Sequence, residues 1–308
     1  MQPTNRVTER LIEIIAEIKD DPNSAYNLRE NGLCTALHSS KNIVITPKKD
    51  RPGIDINIAP NTKGETVYIP SCVTKGGIDD VVFNDFHVGE GADVKIVSGC
   101  GVNTDDEHEA RHSGVHRFFI AKGARVHYEE KHIGFGKGEG ARSINPSTTI
   151  VLEENAFLQI DSTQISGVDI ARRSTNAKID RNAKLVIRER LFTEKEQNVK
   201  TVYHVELNGD GSSADIVSRS VARDHSYQST DSTIVGNAAC VGHSECDAII
   251  GEEAIVDASP RLFAHNKDAQ MIHEAAVGKI AGEQILKLRT LGLSEKEAEN
   301  EIINGFLA

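Results

Sequence analysis

The chain has 308 residues, 38% of them hydrophobic and 26% charged, so it can bury a substantial core in one large globular domain or two ordinary ones. Its formal net charge of -11 argues against a nucleic-acid-binding protein, because neutralising phosphates requires a basic surface. Aromatic residues make up only 5% and tryptophan is absent, which favours a core of Val, Ile, Leu and Ala.

The apolar runs are short, and the cysteines are scattered. No run approaches the roughly 20 residues of a membrane-spanning helix, and residues 1–5 lack the apolar core of a signal peptide. The five cysteines are odd in number, widely spaced and without a Cys-x-x-C pair. This pattern is typical of reduced thiols. We therefore expect a cytoplasmic protein that binds neither membrane nor nucleic acid.

The N-terminal segment, residues 1–40, is predicted to be helical. Hydrophobic residues recur at helical spacing over residues 5–20, and the sequence Asp20-Asp21-Pro22 would end this helix. A second, short helix is predicted over residues 25–31, with Gly32 as its C-terminal cap.

The long middle of the chain, residues 41–278, carries short β-branched runs separated by turn residues about every dozen positions. A weak repeat runs through it, in which a turn residue or a charge is followed by Ala, a variable residue and a hydrophobic residue. Its alanines are Ala92, Ala124, Ala156, Ala183, Ala214, Ala254 and Ala269. A unit of roughly 15–16 residues, sometimes skipped, predicts stacked rungs of a β-helix. A β-sandwich with coincidental alanine spacing is the alternative.

The C-terminal segment, residues 279–308, is predicted to be an αα-hairpin. The first helix covers residues 282–291, and Gly292 stands where a C-terminal cap is needed. Ser294 and Glu297 form a capping box that opens the second helix. The hairpin could cap the end of the solenoid or dock a partner.

Histidines are concentrated between residues 108 and 132, with Cys100 just upstream. On a helix, His108, His112 and His116 would share one face and could bind a metal ion. The Ser-Gly pair and the strand-like run that follow favour the alternative, a polar turn followed by a strand.

A second group combines three kinds of donor: Cys240, His243 and Cys246, followed by His273 and Glu274. Thiolate, imidazole and carboxylate together suit iron or an iron–sulfur intermediate, and an incomplete ligand set would hold a cluster loosely. Inert packing of buried cysteines is the alternative. The sequence contains no phosphate-binding loop, serine-hydrolase elbow or zinc-protease motif, so we expect a scaffold rather than an enzyme.

The sequence around this second group resembles the SufB/SufD family of the SUF iron–sulfur cluster assembly system. The resemblance rests on residues 242–250, on Ser259-Pro260, on residues 273–284 and on the closing Asn304-Gly305-Phe306. Residues 116–119 and 126–132 are similar to short SufB/SufD-like proteins of archaea and some bacteria. The resemblance covers residues 40–308.

The resemblance implies a mainly β fold, namely a right-handed parallel β-helix with an N-terminal helix and a C-terminal αα-hairpin. It implies a dimer through the C-terminal end of the β-helix, either with a second copy or with a SufB/SufD paralogue. It also implies that the hairpin docks SufC, an ABC-type ATPase, so the hairpin would be a docking element rather than a cap.

The resemblance also assigns roles to individual residues. Glu245-Cys246-Asp247 matches the cluster-forming Gln-Cys-Asp segment of SufB, Glu274 matches an essential glutamate, and His273 matches a histidine that SufD contributes. Cys246, His273 and Glu274 would therefore bind a transient iron–sulfur cluster. Further candidate metal ligands are Cys240, His243, Cys100, His112 and His116.

The chain also departs from the family pattern. It is shorter than typical SufB and has no clear match to the interior cysteine that receives sulfur, for which Cys100 is the candidate. The sulfur would come from a cysteine desulfurase or a sulfur carrier. Two alternatives remain: a SufD-like structural partner of the ATPase without a cluster, and a β-helical polysaccharide-active enzyme. The absence of tryptophan argues against the enzyme.

Overall fold

The computed structural model describes residues 6–16, 24–251 and 253–307 of the chain. Its helices are α1 (Arg6–Ala16), α2 (Gly282–Thr290) and α3 (Glu295–Leu307). Its strands, in chain order, are β1 (Ala25–Glu30), β2 (Leu33–His38), β3 (Ile43–Pro47), β4 (Gly53–Ile58), β5 (Lys63–Val73), β6 (Asp79–Val88), β7 (Asp93–Asn103), β8 (Ala110–Ile120), β9 (Arg125–Phe135), β10 (Arg142–Ile144), β11 (Ser147–Leu152), β12 (Phe157–Ser166), β13 (Ile170–Ile179), β14 (Lys184–Thr193), β15 (Asn198–Leu207), β16 (Ser213–Ala222), β17 (Tyr227–Gly236), β18 (Val241–Ile250), β19 (Ile255–Ala264) and β20 (Gln270–Gly278). The predicted mainly β chain with helices at both ends is confirmed.

The strands form two long sheets that make the walls of a β-solenoid of about eight turns. Sheet 1 has the order β2-β1-β5-β7-β9-β12-β14-β16-β18-β20. Sheet 2 has the order β19-β17-β15-β13-β10-β8-β6-β4-β3, and β11 also lies between β8 and β13. From β5 onward, strands pair in parallel with the strand one turn later. The predicted β-helix is therefore confirmed, and the β-sandwich alternative is wrong.

The length of one turn follows from the register of neighbouring strands. Ser147 pairs with Ser174, an offset of 27 residues, and Asp93 pairs with Arg125, an offset of 32 residues. Each turn contains one strand of each sheet. The predicted unit of roughly 15–16 residues therefore corresponds to one strand and its corner. Treating that unit as a complete rung was wrong, because two such units are needed to return to the same sheet.

The repeated alanine marks the corner between the sheets. Asn155 and Asn182 have left-handed φ angles of 59° and 53°, and the buried Ala156 and Ala183 follow them directly. Asparagine tolerates this conformation better than most residues, so it can turn the chain sharply. The small alanine then points inward, where successive turns come close together.

The interior is filled mainly by Val, Ile, Leu and Ala, as the composition predicts. Aromatic side chains are concentrated in the first half of the solenoid. Phe86 and Phe118, which are both fully buried, stack with their ring centroids 4.4 Å apart, and Tyr128 meets Phe118 edge-on at 5.0 Å. These rings thicken the core of the turns that contain β6, β8 and β9.

Near the N-terminus, α1 packs on the outer face of sheet 1, and the β1–β2 hairpin forms the first edge of that sheet. Leu11 and Ile15 of α1 are fully buried against the outer face of sheet 1, where Gly99 and Gly101 let the helix approach closely. The remainder of the helix predicted over residues 5–20 and its end at Asp20-Asp21-Pro22 lie outside the described residues.

The helix predicted over residues 25–31 is wrong, because β1 occupies this segment and pairs with β2 in antiparallel fashion. Asn31 and Gly32 have φ angles of 50° and 82°, so they form the turn of this hairpin. An Asn-Gly pair between two short strands is a strong hairpin signal, and here it outweighs the helical reading. The predicted helical segment 1–40 therefore contains two strands.

The C-terminal αα-hairpin is confirmed. The backbone nitrogen of Ser294 donates to the Glu297 carboxylate at 2.8 Å, and the backbone nitrogen of Glu297 lies 3.3 Å from Ser294 Oγ, which forms the predicted capping box. Gly292 adopts a φ of 98° between the two helices. Within the described ranges, no helix has both the length and the apolar character that crossing a membrane requires.

Candidate functional site

The alternation of β18 sends its side chains to opposite faces of sheet 1. Ser244 and Cys246 are buried and point into the solenoid, whereas His243 and Glu245 are half-buried on the outer face. Among the described strands of sheet 1, only β20 follows β18, so β18 is the last of them with a neighbour on each side. The Cys246 thiol therefore lies inside the solenoid, one strand from its end.

The surroundings of Cys246 are more polar than those of a core cysteine. Its neighbour in the preceding turn is Ser218, whose hydroxyl donates to the Glu189 carboxylate at 2.9 Å. Burial raises the pKa of the Cys246 thiol to about 11, and the negative charge of Glu189 adds to the rise, while a hydrogen bond with Thr230 opposes it. At neutral pH this thiol is protonated and weakly nucleophilic.

His273 and Glu274 are adjacent on β20 and point to opposite faces. His273 pairs in register with the inward Ser244, and its Nδ1 lies 3.0 Å from the Ser244 carbonyl oxygen. Glu274 pairs with the outward Glu245 and is largely exposed. The structure thus places His273 on the same face of sheet 1 as Cys246, whereas Glu274 lies on the opposite face.

On the outer face, Glu274 meets two other potential ligands. His243, Glu245 and Glu274 place one ligand atom each within 4.8 Å of one another; we call these three residues the outer-face cluster. His243 Nε2 lies 4.0 Å from Glu274, and His243 Nδ1 lies 2.8 Å from Asp215. Of the predicted candidates, His243 and Glu274 are therefore brought together, although apart from the cysteine.

Cys240 lies just before β18, and the structure does not bring it to Cys246. Its side chain is buried in the main apolar core, where burial raises the pKa of its thiol. Six residues of extended chain separate the two cysteines, a distance of about 20 Å along the strand. Cys240 therefore packs as a small hydrophobic residue.

His112 and His116 lie on strand β8 and His108 lies in the bend before it, so the three histidines do not share a helical face. His112 and His116 are buried and face inward, because residues four apart also share one face of a strand. His112 Nδ1 lies 3.0 Å from Asp80, and the Tyr128 hydroxyl lies 3.3 Å from His116 Nδ1. Protein groups therefore already engage both residues.

Cys100 is buried in the interior beside His132, its neighbour one turn later. Burial raises the pKa of the Cys100 thiol well above its usual value, and the carboxylate of Glu130 contributes to the rise. Among the described residues, the groups whose ligand atoms lie within metal-binding reach of one another do not include Cys100, His112 or His116.

The solenoid interior also contains charged side chains that the sequence analysis missed. The Arg173 guanidinium lies 3.5 Å from both Glu130 and Glu189, and all three side chains are almost fully buried. Burial alone would raise the pKa of Glu130, but the charges of His132 and Arg173 lower it. The sequence signal that could have revealed them is a charged residue at a position where the alternation of the strand predicts an inward-facing side chain. This interior polar row (Glu130, Arg173, Glu189 and Ser218) leads to Cys246.

The last turn of the solenoid is open. The free edges of β19 and β20 carry no further strand within the described chain. Large hydrophobic side chains are exposed there, namely Ile255, Phe263, Ile272 and Val277. Unpaired strand edges next to exposed apolar residues are typical of a surface that another chain covers.

A family model for "SUF system FeS cluster assembly, SufBD core domain" matches residues 82–306, which is more than half of the chain. The matched region begins in β6 and ends in α3. It therefore includes β18, β20 and the C-terminal hairpin.

Similar proteins carry the same description. An iron–sulfur cluster assembly SufBD family protein of Methanothermobacter thermautotrophicus is 32% identical over 222 residues, covering 71% of this chain and 53% of that protein. Proteins of the same description from Archaeoglobus fulgidus and Pyrococcus horikoshii are 27% and 28% identical, covering 84% and 88% of this chain and 69% and 83% of those proteins. This chain thus spans about half the length of the Methanothermobacter relative.

Proposed function

The chain belongs to the SufBD family of SUF-system iron–sulfur cluster assembly proteins, and we propose that it is a cytoplasmic scaffold on which a transient iron–sulfur cluster is assembled. In this proposal Cys246 provides the thiolate and His273 the imidazole. The chain supplies ligands and catalyses no reaction, while a SufC-type ABC ATPase hydrolyses ATP.

The position of Cys246 carries the proposal. Its thiol ends the interior polar row and lies beneath β20, the last strand of sheet 1. His273 of β20 faces the same interior. It lies two residues before Ala275, which is the neighbour of Cys246 in register. A thiol and an imidazole held under one terminal strand form a partial ligand set, which suits a cluster that must later be released.

The thiol must become accessible before it can bind iron. Burial favours its protonated form, whereas only the thiolate is an effective metal ligand. Because β20 is the last described strand of sheet 1 and lies next to β18, a displacement of β20 would expose Cys246 on that side and lower the pKa of its thiol. The same displacement would be needed for the outward Glu274 to join the cluster.

The C-terminal hairpin offers a means of moving β20. It follows β20 directly in the chain, and Leu286 and Leu291 are exposed on it. We assign the docking of the ATPase to this hairpin, so that ATP-driven movement of the hairpins would pull on the last strand. The open edges of β19 and β20 are assigned to a dimer with a second copy or a SufB/SufD paralogue.

Sulfur delivery belongs to a separate partner in this proposal. A cysteine desulfurase or a sulfur carrier would supply it, and Cys100 is the candidate interior acceptor. Its complete burial beside His132 means that this thiol, like Cys246, reacts only when the solenoid opens.

The test is anaerobic reconstitution with ferrous iron and sulfide, read by visible absorption and Mössbauer spectra. The wild-type chain is compared with Cys246→Ser and with the matched control Cys240→Ser, which removes another buried thiol from the same part of the chain. We expect the wild type and Cys240→Ser to form a cluster and Cys246→Ser to lose it.

Retention of the cluster in Cys246→Ser would contradict the assignment of the site. A wild-type chain that forms no cluster would instead support the alternative, a SufD-like structural partner of the ATPase. The burial of Cys246 is the observation that favours this alternative, because buried cysteines are usually inert.

A further inference from the structure

The outer-face cluster lies on the opposite side of sheet 1 from Cys246. It combines one imidazole and two carboxylates, with ligand atoms no more than 4.8 Å apart. Around a bound ion at about 2.1 Å from each donor, neighbouring ligand atoms lie about 3 Å apart. The Glu274 side chain is two-thirds exposed, so rotation about its side-chain bonds can close the remaining gap.

Asp215 holds the imidazole of His243 in a metal-binding orientation. His243 Nδ1 lies 2.8 Å from Asp215 Oδ1, and Arg188 forms an ion pair with the same carboxylate. With the proton on Nδ1, Nε2 keeps its lone pair, and this nitrogen faces Glu274. A carboxylate behind the imidazole is the usual support of a metal-binding histidine.

A similar trio nine strands earlier in the chain shows what distinguishes the cluster. On β9, His127 Nε2 lies 2.6 Å from Asp161, and Glu129 pairs with Lys95 at 2.8 Å. There the imidazole nitrogen and the acids already have partners.

At β18 and β20 the carboxylates of the outer-face cluster are less well neutralised by basic side chains. Glu245 has Arg219 at 4.0 Å, and Glu274 forms no ion pair with a lysine or arginine among the described residues. The carboxylate of Asp247, which accepts a hydrogen bond from the Ala276 backbone, adds further negative charge on the same face.

We propose that His243, Glu245 and Glu274 bind a divalent transition-metal ion, such as ferrous iron or manganese, on the outer face of the solenoid. Mixed imidazole and carboxylate ligands suit these ions, and three protein ligands leave positions open for water. The site needs neither sulfide nor Cys246. It therefore goes beyond the cluster scaffold proposed above, with which it shares Glu274, and it does not require the cluster to form.

The test is an anaerobic titration of the full chain with Mn²⁺, in which electron paramagnetic resonance measures the free ion. Ferrous iron is then added as a competitor. The variants are His243→Ala and Glu274→Gln, and the matched control on the same face is Glu129→Gln. Cys246→Ser is titrated in parallel, and thermal unfolding confirms that all variants are folded.

We expect one Mn²⁺ per wild-type chain, displaced by ferrous iron, with binding weakened at least about tenfold in His243→Ala and Glu274→Gln. Glu129→Gln and Cys246→Ser should bind like the wild type. The proposal is overturned if the wild type binds no stoichiometric Mn²⁺, or if the two cluster variants bind it normally. Loss of Mn²⁺ binding in Cys246→Ser would also overturn it, because the two sites would then be one. Failure of cluster reconstitution alone would leave this site standing.

Discussion

The inner turns around β8 and the last turn of β19 and β20 use the same strand alternation but differ in what covers them. Phe118 of β8 is fully buried and stacks on Phe86 at 4.4 Å. Leu262 of β19, which occupies the same inward register position in the last turn, is only partly buried. In a solenoid each turn is buried only against its neighbours, so a terminal turn without a cap stays half covered.

The inner turns and the last turn should therefore respond differently to substitution. The inner turns bury aromatic rings and an ion-paired row, so substitutions there should act on folding. The last turn has open edges and exposed apolar side chains, so substitutions there should cost less folding free energy. Near the N-terminus, α1 instead covers the outer face of sheet 1 over β5, β7 and β9.

The largest expected effect comes from shortening an aromatic side chain in the inner turns. Phe118→Ala removes a fully buried ring and leaves a cavity, which should lower the free energy of unfolding by about 3–5 kcal/mol. Leu262→Ala is the matched change in the last turn and should cost less than about 2 kcal/mol, because Leu262 is only partly buried. Urea denaturation followed by circular dichroism measures both values. Equal losses in the two variants would show that the last turn is as well packed as the inner ones.

A second prediction concerns pH. Burial lowers the pKa of His116 to about 4; His112 and His132 act in the same direction, and Glu130 opposes them. The unfolded chain takes up a proton near the ordinary value of 6.5, while the folded chain does not. Stability is therefore complete above pH 6.5 and is lost as the pH falls towards 4. Between pH 6.5 and 5 the loss from this residue should be about 2 kcal/mol.

The measurement is urea denaturation at several pH values from 7.5 to 5, for the wild type, His116→Gln and the control His265→Gln. His265 is exposed beyond the end of β19. His116→Gln should flatten the pH dependence by about 2 kcal/mol, and His265→Gln should leave it unchanged. A wild-type curve that is flat over this range would mean that His116 is protonated in the folded chain and that the interior is wetter than its burial indicates.

Much of the solenoid could be predicted from local sequence. A turn residue followed by a small buried alanine recurs at the corner before strands of sheet 1, as at Asn155-Ala156 before β12 and Asn182-Ala183 before β14. The number of strands per turn was not predicted, because the corner before most strands of sheet 2 lacks this alanine and the second strand of each turn leaves no matching signal. At Asn31-Gly32 the hairpin signal was present but was interpreted as a helix cap.

The residues of the candidate site could be predicted from the sequence, but their arrangement could not. Residue types and spacing led to Cys246, His243, His273 and Glu274, but the faces they occupy depend on strand register. His273 and Glu274 are neighbours in sequence and point to opposite sides of sheet 1. Glu189 stands near Cys246 only because strands 14, 16 and 18 are stacked in register, so no local pattern could indicate it.

The smallest expected effect concerns the attachment of the C-terminal hairpin. Glu299 of α3 forms an ion pair with Arg223 at 2.6 Å, beside a cavity of about 500 Å³ lined by Ile249, Ile285 and Ile303 among others. A hairpin that packs loosely over a cavity depends more on such a pair. Glu299→Gln should therefore lower the stability of this attachment by about 0.2–1 kcal/mol and speed amide exchange in α3 up to about fivefold.

Hydrogen exchange read by mass spectrometry compares this variant with Glu295→Gln, which removes an exposed ion pair to Arg289 within the hairpin. Exchange in β8 should be unchanged in both, because the inner turns do not depend on the hairpin. Raised salt should reduce the difference between wild type and Glu299→Gln, since partly exposed ion pairs are screened. If α3 exchanges equally in all three chains, apolar contacts hold the hairpin, and movement there would reach β20 through packing rather than through release of one ion pair.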